Sequence, residues 1–184
     1  LYNRIFMSGW VSLLPYFEQS ALYDQIASPQ TIGGTTYNAF GPVPWDEAYL
    51  PWRTILGALK CPSDPNIKSH GGSTAGPTNY RFCVGESANR SYSRDSRSPR
   101  GMFGDRASIG FNSVPDGLTN TLMLSERAYG GDARLIRQGI STNSIPTGGG
   151  TANRIVPAVC LTFIDPNNPN QYTGSVANWS GRRW

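Results

Sequence analysis

Glycine and proline interrupt this chain so often that long helices have little room to form. The 184 residues include 21 Gly and 14 Pro. They cluster at Gly33-Gly34, Gly41-Pro42, Gly71-Gly72, Pro115-Asp116-Gly117 and Gly148-Gly149-Gly150. Glycine opens the positive-φ conformations, while proline fixes φ and removes a backbone donor, so both punctuate regular structure. Hydrophobic residues make up 38% of the chain and charged residues 15%, both low for a globular domain. Five Trp and nine Tyr nonetheless argue against disorder, since disordered segments are poor in aromatics. The expectation is one compact, strand-rich domain over residues 1–184 with long ordered loops. The chain starts at Leu1 and stops at Trp184 in mid-pattern, and truncation at both ends is expected.

Local patterns place the elements. Leu14, Phe17, Ala21 and Leu22 share one helical face, predicting a helix over 12–27 that Ser12 caps and Ser28-Pro29 ends. Residues 29–53 read as loop, with Trp45 and Trp52 folding back onto the core. Short strands are expected near 54–60, at 79–85, where Tyr80, Phe82 and Val84 alternate, at 102–103, at 107–111, and at 119–126, with Leu122 and Leu124 on one face. Ile155–Ile164 is the last strong apolar run, and residues 130–150 read as a long loop. The fold class is α+β: a short helix packed on an antiparallel sheet. Leu14, Phe17, Leu22, Leu59, Tyr80, Phe82, Leu122 and Leu124 are its expected core. No internal repeat and no linker marks a second domain.

Catalytic chemistry finds little to stand on. His70 is the one histidine, no nucleophile elbow surrounds a serine, and metalloprotease and P-loop motifs are absent. Carboxylates such as Asp46, Glu47, Asp105, Asp116 and Glu126 form no distinctive pair. No enzymatic role and no cofactor is expected. A calcium ion is the single cofactor considered, on the hard oxygens of the Asp165–Asn170 turn, with Asp165, Asn167 and Asn168 as ligands, or on Ser63-Asp64-Pro65-Asn66; the EF-hand spacing is missing from both. A net charge of +4 is mild, and the Arg90–Arg100 stretch reads as a solvated loop, so nucleic acid is not an expected partner. Asn89-Arg90-Ser91 and Asn178-Trp179-Ser180 match the glycosylation acceptor pattern.

A series of short motifs gives a more specific lead. In order they are Gly9-Trp10-Val11-Ser12-Leu13-Leu14-Pro15-Tyr16-Phe17-Glu18-Gln19, Ala21-Leu22-Tyr23-Asp24-Gln25-Ile26, Pro51-Trp52-Arg53, Leu59-Lys60-Cys61-Pro62-Ser63-Asp64-Pro65, Thr78-Asn79-Tyr80-Arg81-Phe82-Cys83, Arg100-Gly101-Met102-Phe103-Gly104, and Pro115-Asp116-Gly117-Leu118-Thr119-Asn120-Thr121-Leu122 with Ser125-Glu126-Arg127. Their order and spacing resemble the large planctomycete family of unknown function found behind a prepilin-type cleavage and methylation signal. The motifs run from Gly9 to about Tyr129, with Ser180-Gly181-Arg182-Arg183-Trp184 adding to them.

The resemblance implies a pseudopilin-like protein: an apolar anchoring helix, missing here, followed by an extracellular or cell-surface head. It carries over no catalytic residues. Two readings follow. One is a structural subunit of a pilus-like or secretion-linked filament, whose partners are copies of itself or related pilin-like subunits and whose link to the membrane is the missing helix. The other is an extracellular binding module for polysaccharide, using Trp and Tyr faces from its loops. Of the three cysteines, Cys61 and Cys83 sit on expected strands flanking a small-residue loop. Neighbouring strands bring Cα atoms within disulfide range, so a Cys61–Cys83 bond is expected, which in an oxidising compartment would stabilise by about 3 kcal/mol. Cys160 is then left over. Three reduced, buried thiols are the alternative.

Overall fold

The computed structural model describes residues 6–69, 75–85, 101–104, 109–142, 158–178, 181 and 184. It is α+β, with short helices and, among the described residues, four separate two-stranded antiparallel sheets. The chain groups into two compact units, of which the sequence gives no sign. One comprises Leu1–Asn79, Ala128–Gly130 and Gly181–Trp184; the other comprises Tyr80–Arg127 and Gly131–Ser180.

In the first unit, the single helix expected over 12–27 is divided. Helix α1 (Gly9–Leu13) starts at Ser8, whose Oγ accepts the Trp10 N–H at 3.3 Å. A 3₁₀ turn follows over Leu14–Phe17. Glu18 then takes a left-handed φ of 61°, and Gln19 N–H closes on the Leu14 carbonyl at 3.0 Å. Helix α2 (Ser20–Ala27) starts afresh and buries Leu22 and Ile26, one turn apart. Pro15 is the physical cause, since it lacks the N–H that a continuous helix needs. Leu14 and Leu22 are buried as expected, whereas Phe17 is half-buried and packs on Trp10 at 6.1 Å.

A hairpin, β1 (Gln30–Ile32) and β2 (Thr35–Tyr37), turns through Gly33-Gly34, both at positive φ. Residues 54–60 form no strand. Leu56 and Leu59 are both buried and lie three apart, flanking a 3₁₀ turn over Gly57–Leu59. An i, i+3 spacing matches the 3₁₀ repeat rather than the two-residue period of a strand. A short helix, α3 (Pro65–Ser69), follows.

The core of this unit is aromatic. Tyr37, Tyr49, Trp52 and Trp184 stack edge-to-face in series, with centroids 5.0, 5.1 and 5.9 Å apart. Such pairs contribute about 1 kcal/mol each beyond area burial. Trp52 folds back as expected, but Trp45 does not: it is 52% exposed and meets the Phe6 ring instead. Trp184 is fixed at both ends of its polar set. Its backbone N–H donates to Gly76 O at 3.1 Å and its indole N–H to Thr54 O at 2.8 Å.

The second unit is built from strand pairs. Strand β3 (Tyr80–Phe82) pairs with β4 (Leu124–Glu126), placing Arg81 opposite Ser125. These lie inside the expected strands 79–85 and 119–126 and are shorter than them. β5 (Ile140–Ser141) pairs with β8 (Val176–Ala177), and β6 (Ile164–Asp165) with β7 (Asn168–Tyr172). The apolar run at 155–164 gives a helix, α4 (Ala158–Leu161), before β6. Met102-Phe103 forms no strand, although Phe103 packs edge-on against Phe82 at 4.7 Å. Residues 109–111 lead into a 3₁₀ turn over Phe111–Ser113. Within 130–142, β5 and a tight turn replace part of the expected loop: Asp132 N–H donates to Gln138 Oε1, and Arg134 N–H to Asp132 Oδ1, both at 2.9 Å.

The expected core residues of this unit depart from the reading. Tyr80 and Phe82 are half-buried, while Leu122 and Leu124 face solvent. With one neighbouring strand among the described residues, the β3–β4 pair is not the wider sheet that alternation presumes, and Leu122 and Leu124 stay outside.

Gly76 tests the packing of the first unit. A Cβ there would overlap the Trp184 indole and the Thr54 carbonyl oxygen, and the backbone cannot yield as a flexible side chain would. Gly76→Ala is expected to lower unfolding free energy by about 3 kcal/mol, read from urea denaturation followed by tryptophan fluorescence.

Candidate functional site

Two arrangements in the first unit stand out. The first is a buried carboxylate. Asp64 is 7% exposed and lies just ahead of α3. Its Oδ1 accepts the Asn66 N–H at 3.0 Å, as an N-cap does. Its Oδ2 accepts Asn79 Nδ2–H at 2.7 Å and the Tyr129 N–H at 2.6 Å. Asn79 in turn accepts the Cys61 N–H on its Oδ1 at 2.7 Å. Burial, the largest single effect, pushes the Asp64 carboxyl upward. The hydrogen bonds from Tyr129, Asn79, Asn66 and Ile67 together outweigh it and hold the group below its ordinary 3.8. This carboxylate is an anchor whose oxygens face the protein's own N–H donors. Proline at 65 and the turn Ser63-Asp64 were visible in the sequence; the partners at 79 and 129 were not.

The second is a groove of about 410 Å³ beside the β1–β2 hairpin. Thr35, Thr36, Tyr37 and Asn38 come from β2 and its end; Gly41, Val43 and Asp46 come from the following loop. The Phe40 N–H donates to the Ile26 carbonyl at 2.7 Å, tying this loop to the end of α2. Phe40 and Gly41 both have positive φ, 65° in each case. A side chain at Gly41 would also meet the Tyr49 ring, whose Cζ lies 3.1 Å from the Cβ position. The Tyr49 hydroxyl is buried without a hydrogen-bond partner, and burial pushes the phenol above its ordinary 10.0. Among the described lining residues Asp46 contributes the one carboxylate, with Oδ1 accepting the Ala48 N–H at 3.1 Å. Trp45 stands between two lining residues in sequence, with the Phe6 ring edge-on at 4.9 Å and 67°.

The residues singled out from the sequence are dispersed. Cys61, Cys83 and Cys160 are free thiols in the structure, the first two half-buried and the third exposed on α4. Cys61 falls in the first unit and Cys83 in the second. Asp165, Asn167 and Asn168 form the turn between β6 and β7, where Asp165 Oδ1 accepts the Asn167 N–H at 2.9 Å. That is an Asx turn satisfying its own backbone. Among the described residues, no three His, Cys, Asp or Glu side chains come together to hold a metal. His70, Asn89, the arginines at 90–100 and the glycines at 148–150 lie outside the described residues. In the second unit, Arg81 donates to Tyr80 O at 2.9 Å, and the Arg127 guanidinium reaches the Gly139 carbonyl. Burial, then the charge of Arg127, lower the Arg81 guanidinium below the ordinary arginine range.

The family model described as protein of unknown function (DUF1559) matches residues 2–182. The chain belongs to this family. DUF1559 proteins are found in planctomycetes, as the order of motifs implied. The match spans the described residues of both units except Trp184. Comparison with curated proteins and with solved structures gave no match. Among the described residues, no helix of this DUF1559 chain is long and apolar enough to cross a membrane. The Asp64–Asn79 pair joins two of the motifs on which the resemblance rests, Leu59–Pro65 and Thr78–Cys83.

Asp64→Asn replaces an acceptor with a donor opposite two N–H groups. We expect it to cost about 3 kcal/mol of stability, since buried donors are left unpaired. Because the folded-state pKa is depressed, the wild-type contribution is full above 3.8 and is lost as pH falls through the lower folded value. Thermal unfolding between about pH 6 and about pH 2 should therefore show a shallower acid slope for the variant than for the wild type.

Proposed function

We propose that this DUF1559 chain is the head of a structural subunit in a pilus-like or secretion-linked cell-surface filament. The observation that carries the reading is the apolar surface of the second unit. Phe111 is 62% exposed and Leu122 61%, and Leu118, Met123 and Leu124 are exposed alongside them in sequence. Met102 is the only large apolar side chain buried in that unit among the described residues. A run of exposed large apolar residues on a unit with so small an apolar interior favours association. The strand pairs add open edges, which are templates for pairing with another chain. A second copy is the partner this arrangement fits best. The pseudopilin-like architecture, the extracellular location and the absence of catalysis rest on the family resemblance.

A second reading, an extracellular binding module, is favoured by a different observation: the exposed Phe6–Trp45 pair, whose Trp45 adjoins in sequence the groove residue Asp46 in the first unit. The two readings use different surfaces and are compatible.

Self-association is tested by sedimentation velocity and negative-stain microscopy. The wild-type chain is expected to form concentration-dependent oligomers. Leu122→Asp, which places a charge on the exposed face, should leave monomers with an unchanged circular dichroism spectrum. A strict monomer at high concentration would remove the filament reading.

The extracytoplasmic location makes a separate prediction. Protein purified from an oxidising compartment should titrate one free thiol natively and three after reduction, with Cys61 and Cys83 linked by peptide mapping. Three free thiols without reductant would remove the disulfide and with it that support for the location.

A further inference from the structure

We propose that the groove between β2 and the 38–46 loop binds a neutral saccharide, with Trp45 as the stacking platform beside it. This rests on the binding-module reading and is independent of self-association.

The chemistry of the walls selects the ligand. Thr35 and Thr36 are hydroxyl residues of the lining, the latter with its hydroxyl 3.2 Å from Thr31 Oγ1, Asn38 is an amide and Asp46 a carboxylate, a set that both donates to and accepts from a polyol. Among the described residues, no lysine or arginine lines the groove. An anionic sugar or a phosphate would face Asp46 with no cation among those lining residues to offset the repulsion, which discriminates against it. A volume near 410 Å³ is within the range of small-molecule sites and fits one or two pyranose rings.

The aromatic component is oriented in advance. Phe6 packs edge-on to Trp45 at 4.9 Å, fixing the indole while leaving about half of the residue, 52%, open to solvent. An exposed indole held in one orientation presents an apolar face and loses little entropy on binding. The C–H face of a pyranose is the natural complement. The Tyr49 hydroxyl supplies a second pointer. It is buried and has no partner, and its ring packs directly against Gly41, which lines the groove. Unpaired buried hydroxyls are rare and call for a water or ligand partner.

The test is titration of the purified chain with neutral oligosaccharides — cellohexaose, xylohexaose, mannohexaose and laminarihexaose — followed by tryptophan fluorescence and calorimetry. Polygalacturonate serves as the anionic control. Saturable binding to at least one neutral oligosaccharide is expected, with little response to polygalacturonate. Trp45→Ala and Asp46→Asn should each weaken binding about tenfold, in keeping with loss of one stacking face or one charge-assisted hydrogen bond. Asp46→Asn keeps an acceptor for the Ala48 N–H, so the loop is retained. Thr36→Val, on the exposed hairpin, provides a further variant that leaves the core untouched; it should weaken binding by a smaller factor. Leu122→Asp should bind as the wild type does, which separates failure of this site from failure of the filament reading. The proposal is overturned by no saturable response to any of the four sugars, by preference for polygalacturonate, or by unchanged affinity in both Trp45→Ala and Asp46→Asn.

Discussion

The first unit depends on one carboxylate. Asp64 receives hydrogen bonds from residues near it in sequence and from Asn79 and Tyr129, 15 and 65 positions away. These contacts tie the start of α3 to two separate passes of the chain. Because the donors are buried, water cannot replace the carboxylate if it is lost, and the cost of leaving them unpaired exceeds the modest net value of each bond. The aromatic series from Tyr37 to Trp184 fills the same unit, but dispersion and apolar burial are non-directional. Direction comes from the polar anchor, which decides which segments meet.

The two units solve the problem of a turn-rich chain differently. The first concentrates its large side chains inside, with Trp10, Tyr49, Trp52, Tyr129 and Trp184 all buried. Its loops are held by backbone bonds to neighbouring elements, such as Phe40 to Ile26 and Gly76 to Trp52. The second relies on strand ladders and a polar turn and leaves apolar side chains outside. Short paired strands are weakly stable alone, and the self-association proposed above would cover its exposed apolar side chains.

Much of the first unit was legible in the sequence because its signals are local. Pro15, the Gly33-Gly34 turn and the Pro62–Pro65 stretch announce their geometry directly. Leu14 and Leu22 lie buried as the pattern of the early helix predicts, but the helix is not continuous, because the apolar spacing carries no sign of the break that Pro15 and the left-handed Glu18 introduce. Residues 54–60 misled since Leu56 and Leu59 support a 3₁₀ turn as readily as a strand. Leu122 and Leu124 misled for a different reason: alternation presumes a wider sheet buried on one face, and the described pair β3–β4 has two strands. The candidate groove was not legible at all. Its residues are common ones in a segment that reads simply as loop, and only folding brings the Thr35–Asn38 hydroxyls and amide alongside Asp46. An exposed Trp45 in a polar loop was the one available sign, and composition favoured burying it.

The path of the chain through the first unit carries a consequence for biosynthesis. This unit takes its residues from three stretches, ending with Trp184, whose indole seats against Trp52 and hydrogen-bonds Thr54. A nascent chain that has emerged only as far as Asn79 lacks both the Tyr129 donor for Asp64 and the Trp184 ring that completes the aromatic series. Domains usually close as they leave the ribosome, N-terminal first. Here the N-terminal segment must wait, partly formed, for residues made more than a hundred positions later. Closing contacts of such sequence separation is slow. During that interval the Asp64 carboxylate, still short of its Tyr129 donor, and the open Trp52 face are exposed to solvent and to any chaperone at the exit site.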